Sequence, residues 1–296
     1  MPQFALGMKE HCFELVDYDL GATLASGQAF RWRFHDDAWE GVIGQNWVRL
    51  EEKPGHVRVE TETAMEDWNW LEDYLQTEVN LAEVVVSFPQ DVPMCESVAA
   101  CHGLRLLKQE PWECLASFIL SSTKQIVQIQ QIVELLCCRY GERVAAPVGR
   151  EPQYAFPRPE RLARCTEAEL RESKMGFRAK YLLAAAQAVA VGKLDLESLR
   201  QMSCSQARDK LMELPGVGRK IADCVLLFAY GFQEAFPVDV WVLKALQQLY
   251  FPKRRASAKR LAKFTATYFG PYSGYAQQYL FHYMRTQVGR KGRKTK

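Results

Sequence analysis

Residues 211–241 read LMELPGVGRKIADCVLLFAYGFQEAFPVDVW, and the Leu-Pro-Gly-Val-Gly within them admits few structures. Helical patterns flank it on both sides. Pro215 ends the first pattern, and Gly216 and Gly218 permit the backbone of a tight hairpin. The N–H groups that open the second helix are then unpaired and point outward, which makes a ready phosphate site. Glycine suits that site because a side chain would hold a phosphodiester away. Many helix pairs carry a Gly-x-Gly turn, so the residues that follow it decide its meaning.

Lys220 falls in the first turn of the second helix. The positive end of the helix dipole and any burial both disfavour the ammonium. The neutral amine is a nucleophile able to form a Schiff base with a sugar C1′; the bland alternative is a solvated helix lysine. Asp239, 19 positions further on, lies in Phe236-Pro237-Val238-Asp239-Val240 at the expected N-cap of a helix 240–249. Capping alone would explain it, at ~1 kcal/mol. Both roles are compatible. Eleven helical residues carry the chain away by about 16 Å, and an extended 231–239 spans up to roughly 30 Å. The return can therefore set the carboxylate beside Lys220, to stabilise an oxocarbenium-like sugar and relay the amine's proton.

Composition bounds the rest. A chain of 296 residues, 48% hydrophobic and 25% charged, can bury one large core or two modest ones. No apolar run approaches the ~18 residues of a membrane helix, and no signal or transit segment is expected. Nine cysteines at irregular spacing read as reduced and buried in an intracellular protein. They form no zinc or iron–sulfur spacing, so neither a catalytic metal nor another cofactor is expected. The net charge of +3 hides an asymmetry: residues 1–100 hold 6 Lys and Arg against 19 Asp and Glu, residues 101–296 hold 32 against 16. That points the second part at a polyanion. The run Lys253, Arg254, Arg255, Lys259, Arg260, Lys263 and the basic tail 290–296 contribute most visibly.

From 12 to 62 the pattern is short and β-like: CFELVD, FRWRFHD, WEGVIG, then WVRLEE and HVRVETE across Lys53-Pro54-Gly55. Helical periods take over from about 66. A helix 124–140 shows Ile126, Ile129, Val133, Leu136 and Tyr140 on one stripe. Ser205 is positioned to cap a helix ending near Glu213, and Gly231 to close the one starting near Arg219. The fold class is α+β: an antiparallel sheet domain over 1–105, a helical domain over 106–290, and a basic tail over 291–296.

These residues resemble the helix-hairpin-helix Gly/Pro-Asp superfamily of DNA glycosylases, in which a lysine after the hairpin marks the glycosylase/lyases. Ser26-Gly27-Gln28-Ala29-Phe30-Arg31-Trp32, LLKQEPWECLASFILSS (106–122), Gly176-Phe177-Arg178-Ala179-Lys180-Tyr181, and Gly274-Tyr275-Ala276-Gln277 through Phe281 resemble, in order, segments of the 8-oxoguanine DNA glycosylase family. The likeness spans nearly the whole chain. It implies a TATA-binding-protein-like sheet domain followed by an all-α glycosylase domain. It implies Lys220 and Asp239 as catalytic residues, and a damaged nucleotide flipped into a pocket. The Gly27 carbonyl would read the N–H that oxidation creates at N7, Cys224 and Phe281 would sandwich the base, and Gln277 would bind its pairing edge. Gly216, Gly218, Thr123, Gln128, Phe177, Arg178 and Trp241 would face DNA. Taken singly, Cys224 and Phe281 read as core, Gln277 as a helix-surface residue and Gly27 as a turn.

Several positions depart from the family. Thr123, Lys124 and Gln125 replace an asparagine run that fills the gap opposite the lesion. Gln128 replaces an arginine that contacts the orphaned cytosine, Phe177 an intercalating tyrosine, and Trp241 a phosphate-binding histidine. Losing a bidentate contact relaxes discrimination by ~1–3 kcal/mol, so preference for cytosine is expected to weaken. The implied protein is a monomeric base-excision enzyme acting on damaged double-stranded DNA, away from membranes. It would work in the nucleus of a eukaryote or the cytoplasm and nucleoid of a prokaryote. The alternatives are a monofunctional glycosylase for alkylated bases, which typically lacks such a lysine, and a non-catalytic DNA-binding module, which leaves Asp239 unexplained.

Overall fold

Alternating apolar residues in 46–53 and 56–65 give each segment one face for a core. In the computed structural model, which describes residues 8–122, 124–253 and 256–288, they are central in an antiparallel sheet. Its strands are β1 (Met8–Glu14), β2 (Arg33–His35), β3 (Ala38–Ile43), β4 (Asn46–Lys53) and β5 (His56–Met65), in the order β1-β5-β4-β3-β2. Lys53 pairs with His56 across Pro54-Gly55, where Gly55 takes φ +78°. Val48, Leu50, Val57 and Val59 are buried against α1 (Leu20–Ala25) and α2 (Asn69–Leu75).

Helix α1 interrupts a stretch expected to be wholly β-like. Asp19 accepts from Ala22 N at 2.6 Å and nucleates it, and its six residues are too few to show a period. Of FRWRFHD only three residues are strand; the preceding segment crosses towards the helical part.

The helical part begins before residue 105, with α3 (Leu81–Val86) and α4 (Val92–Ala100). Leu81, Val84, Phe88 and Met94 share one core with the later helices. Next come α5 (Pro111–Leu120), α6 (Ile126–Tyr140) and a small hairpin of β6 (Arg143–Val144) and β7 (Gln153–Tyr154). Four helices follow: α7 (Pro159–Ala163), α8 (Glu167–Leu170), α9 (Ala179–Ala190) and α10 (Cys204–Met212). The chain then forms α11 (Arg219–Tyr230), α12 (Val240–Ala245), α13 (Ala258–Thr267) and α14 (Ser273–Tyr283). No helix among the described residues is long and apolar enough to cross a membrane.

Three helix boundaries differ from expectation. Helix α6 starts at Ile126, where the Gln128 side chain reaches back to accept from Gln125 N at 3.1 Å. Ser203, rather than Ser205, caps α10, since Gln206 stands at the spacing that returns a bond to Ser203 N. The helix expected over 240–249 is α-helical only to Ala245 and widens into a π turn over Leu246–Tyr250. Of the nine cysteines, all free, Cys12, Cys95 and Cys138 are exposed rather than buried.

Gln28 joins the sheet to the helices. Its Nε2 lies 3.0 Å from Thr23 O and 2.8 Å from Arg105 O, and its Oε1 accepts from Leu107 N at 2.7 Å. Gln109 donates back to Gln28 O at 2.8 Å. The fully buried amide thus fixes the loop holding Gly27 to the strand-like segment 105–109. Gln28→Ala leaves Leu107 N–H unpaired in the core, and urea unfolding should show a loss of about 1–3 kcal/mol. Gln28→Glu should not rescue it, because a carboxylate cannot donate to two carbonyls.

Candidate active site

The hairpin lies between α10 and α11. Gly216 takes φ +80°, and a Cβ there would sit 2.4 Å from the Tyr181 ring, so both backbone and packing require glycine. Gly218 differs from expectation. At φ −95°, ψ 176° it adopts a conformation open to any residue, and nothing lies within 4 Å of its would-be Cβ. No internal contact demands glycine at 218, so its small size matters only to something approaching from outside. Buried Asp223 braces the turn, bonded to Arg208 Nε of α10 at 2.5 Å and paired with Arg219 at 3.5 Å.

Lys220 is half-buried one residue into α11. Its Nζ donates to Ser121 Oγ at 3.0 Å and lies 5.1 Å from the centre of the Phe118 ring. The remainder of α11, residues 221–229, is buried. Gly231 closes the helix at φ +73°, and the chain doubles back to Asp239. Asp239 caps α12, accepting from Trp241 N at 2.9 Å and Val242 N at 2.8 Å. Burial raises its carboxyl above the ordinary range, while those N–H groups and the nearby Lys220 charge pull the other way. The cap therefore also faces the amine.

Lys220 and Asp239 open onto one cavity of about 50 Å³, shared with Gly27, Phe118, Cys224, Phe228, Pro237, Gln277, Gln278 and Phe281. All four residues expected in a base pocket lie on its wall. Gly27 takes φ +82°, and a Cβ there would meet Ile126 Cδ1 at 2.5 Å. Gln277 is only 3% exposed, not a helix-surface residue, and its Oε1 has no partner among the described residues. An orphaned buried acceptor is costly unless something else satisfies it. Cys224 is buried, and burial pushes its thiol up to about 12, so it stays protonated. Phe281 is half-buried, with the Arg285 guanidinium 5.7 Å from its ring and Arg285 donating to Ala25 O at 2.5 Å. The cavity is large enough to hold water.

The residues expected to face DNA separate into two groups. Phe177 projects 52% exposed from a tight turn, with Lys174 at φ +61° and Gly176 at φ +62° before it. Tyr181 links it to the hairpin, edge-on to Phe177 at 6.3 Å and packed on Gly216. Arg178, by contrast, is buried: it donates to the Ser122 and Met175 carbonyls and lies 4.5 Å over the Phe177 ring. Gln128 is exposed, its carbonyl accepting from Gln125 N at 3.1 Å. Trp241 is half-buried beside Asp239, with Lys244 Nζ 5.7 Å from its ring. Thr123, Arg254, Arg255 and the basic tail lie outside the described residues. Reasoning from sequence missed Phe118, Ser121, Phe228 and Gln278, since each reads as ordinary helix interior or helix end.

A hairpin that exposes N–H groups, a lysine beyond it and a capping aspartate facing that lysine over a small pocket define a DNA glycosylase of the lysine-bearing kind. Family comparison agrees. Residues 13–115 match the 8-oxoguanine DNA glycosylase N-terminal domain, and residues 116–271 match the HhH-GPD superfamily base excision DNA repair protein. The N-glycosylase/DNA lyase OGG1 of Arabidopsis thaliana is 33% identical over 90% of this chain and 77% of its own length. A probable N-glycosylase/DNA lyase of Methanothermobacter thermautotrophicus is 29% identical over 91% and 94%. Among solved structures, MBOgg1 in complex with a low-affinity DNA ligand superimposes with a TM-score of 0.90 at 33% identity, covering 95% of this chain and 97% of that one. The Clostridium acetobutylicum 8-oxoguanine glycosylase/lyase, bound to double-stranded DNA with cytosine opposite 8-oxoG, gives 0.87 at 30% identity, covering 95% and 100%. The chain belongs to the 8-oxoguanine DNA glycosylase family of the HhH-GPD superfamily.

Substitution would separate the cap that Asp239 makes from the catalytic role expected of it. Asp239→Asn keeps a capping oxygen and should leave the melting temperature nearly unchanged, whereas Asp239→Ala should cost ~1 kcal/mol. Base-excision rates should fall a hundredfold or more, order of magnitude, in both. Since burial raises the Asp239 carboxyl, wild-type activity should fail on acidification at a higher pH than a solvated aspartate would impose, as a pH–rate profile would show.

Proposed function

We propose that this enzyme, a DNA glycosylase with lyase activity, excises 8-oxoguanine from duplex DNA through a Schiff base on Lys220. The observation that carries the reading is the meeting of Lys220, Asp239 and the orphaned Gln277 amide on one cavity. The damaged base leaves the stack and enters between Cys224 and Phe281. Gln277 Oε1 accepts from its pairing edge, and the Gly27 carbonyl accepts the N7–H that distinguishes it from guanine. The Lys220 amine attacks C1′ as the bond from C1′ to the base breaks, and the departing base takes up a proton. Asp239 stabilises the sugar cation formed on the way. In the resulting aminal the C1′–O4′ bond breaks, O4′ taking up the proton that the nitrogen loses, to give the ring-opened iminium. Removal of a C2′ proton then expels the C3′ phosphate by β-elimination and breaks the strand 3′ to the lesion. Gly218, with open space before it, and the first N–H groups of α11 hold a flanking phosphate. Phe177 enters the stack as an apolar wedge.

We further infer that discrimination at the opposite base is weak. Gln128 cannot donate as an arginine fork does, and its carbonyl already serves the α6 cap. Arg178 is engaged with protein carbonyls.

Borohydride trapping on an 8-oxoguanine duplex should give a covalent adduct with wild type and none with Lys220→Gln. Base release without trapping would instead indicate a water nucleophile and a monofunctional enzyme. Excision from duplexes carrying each opposite base should give rates within about tenfold of one another, the scale of one lost contact; a strong cytosine preference would contradict the second reading. Phe177→Ala should weaken binding to lesion duplex without changing the rate for a lesion already unstacked in single-stranded DNA.

A further inference from the structure

We infer that Ser121 is the positioning residue of the Lys220 amine. Ser121 follows the last turn of α5, three residues after Phe118, so the two face the same way. Together they form a two-part seat for Nζ: the hydroxyl accepts at 3.0 Å and the ring lies 5.1 Å beneath. The direction of the hydrogen bond is fixed. Ser121 Oγ donates its single proton to Phe118 O at 2.7 Å, so towards Lys220 it can only accept. An acceptor there takes one N–H of the amine and the ring shields a second side. The unshared pair of the neutral amine is thereby aimed at the remaining side, where the cavity and Asp239 lie. Ser121 takes no proton and touches no reacting atom.

Lysine otherwise keeps four rotatable bonds and many rotamers, and a nucleophile held in line avoids that cost at the moment of reaction. Removal of the hydroxyl leaves the local structure satisfied, because Ser121 N also donates to Phe118 O at 3.2 Å. The seat can therefore be emptied without opening the helix end.

This rests on Lys220 being the Schiff-base residue, so the test carries that control within it. Single-turnover base release and borohydride-trapped adduct are followed with wild type, Ser121→Ala and Ser121→Thr, beside melting temperature and affinity for a duplex bearing a stable abasic-site analogue. Ser121→Ala should slow both release and trapping by about tenfold to a hundredfold, with melting temperature and duplex affinity unchanged. Ser121→Thr, which keeps the hydroxyl, should recover most of the rate. Wild-type rates in Ser121→Ala would overturn the assignment, as would a loss shared by duplex affinity and not restored by threonine. A wild type that releases base with no adduct would bring down the Schiff-base reading itself, and this assignment with it.

Discussion

The geometry of the site depends on how closely α14 approaches α11 and the segment that returns from it. Gly274 makes that approach possible: its N donates to Gln233 O at 2.7 Å, and a Cβ would strike Leu227 Cδ1 at 2.3 Å and Ala235 O at 2.9 Å. One contact therefore couples the two sides of the pocket. The chain to Asp239 is clamped on one side, and Gln277 and Phe281, one and two turns further along α14, are set on the other. Helix α11 is buried over residues 221–229 and tied across the hairpin by Asp223 and Arg208. A rigid frame of this kind lets a half-buried lysine be held by a hydrogen bond and a ring instead of by full burial.

The pocket is built from parts of the chain far apart in sequence. Gly27 arrives from the sheet side, where Gln28 and Arg105 lock its loop to the helices; buried Arg105 reaches the carbonyls of Val16 and Asp17 at 3.1 and 3.2 Å. The sheet domain thus brings Gly27 to the cavity wall. The excess of acidic over basic residues in 1–100 fits a supporting role. Polar atoms on the cavity wall are few, and the buried Gln277 Oε1 among them has no partner among the described residues.

Much of the site was legible in the sequence because its chemistry is local. The hairpin, the lysine beyond it and the capping aspartate fall within 30 residues, and each has a mechanical reason at its position. Boundaries set by side-chain capping were read less well. Ser203 and Ser205 both suit a cap, and only the reciprocal bond from Gln206 selects the first. Helix α1 was missed because a six-residue helix fixed by one aspartate leaves no periodic trace. Taken singly, Gln277 reads as surface, and only the resemblance pointed it to a pocket; α14 is buried on nearly every side, so its polar residues face the interior and the cavity.

Sequence by itself pointed to the two-part architecture and singled out Lys220 and Asp239 as the candidate nucleophile and the charge that would answer it. These follow from residue type and spacing, which act over a turn or two of chain. Tertiary structure alone decided which glycine serves the fold and which leaves room for a partner, that Arg178 turns inward while Phe177 stands out, and that Ser121 lies under the amine. Such facts depend on contacts between segments separated by up to a hundred residues or more, and on which face of each helix meets another. No local pattern encodes a contact whose partner is chosen only when the helices pack.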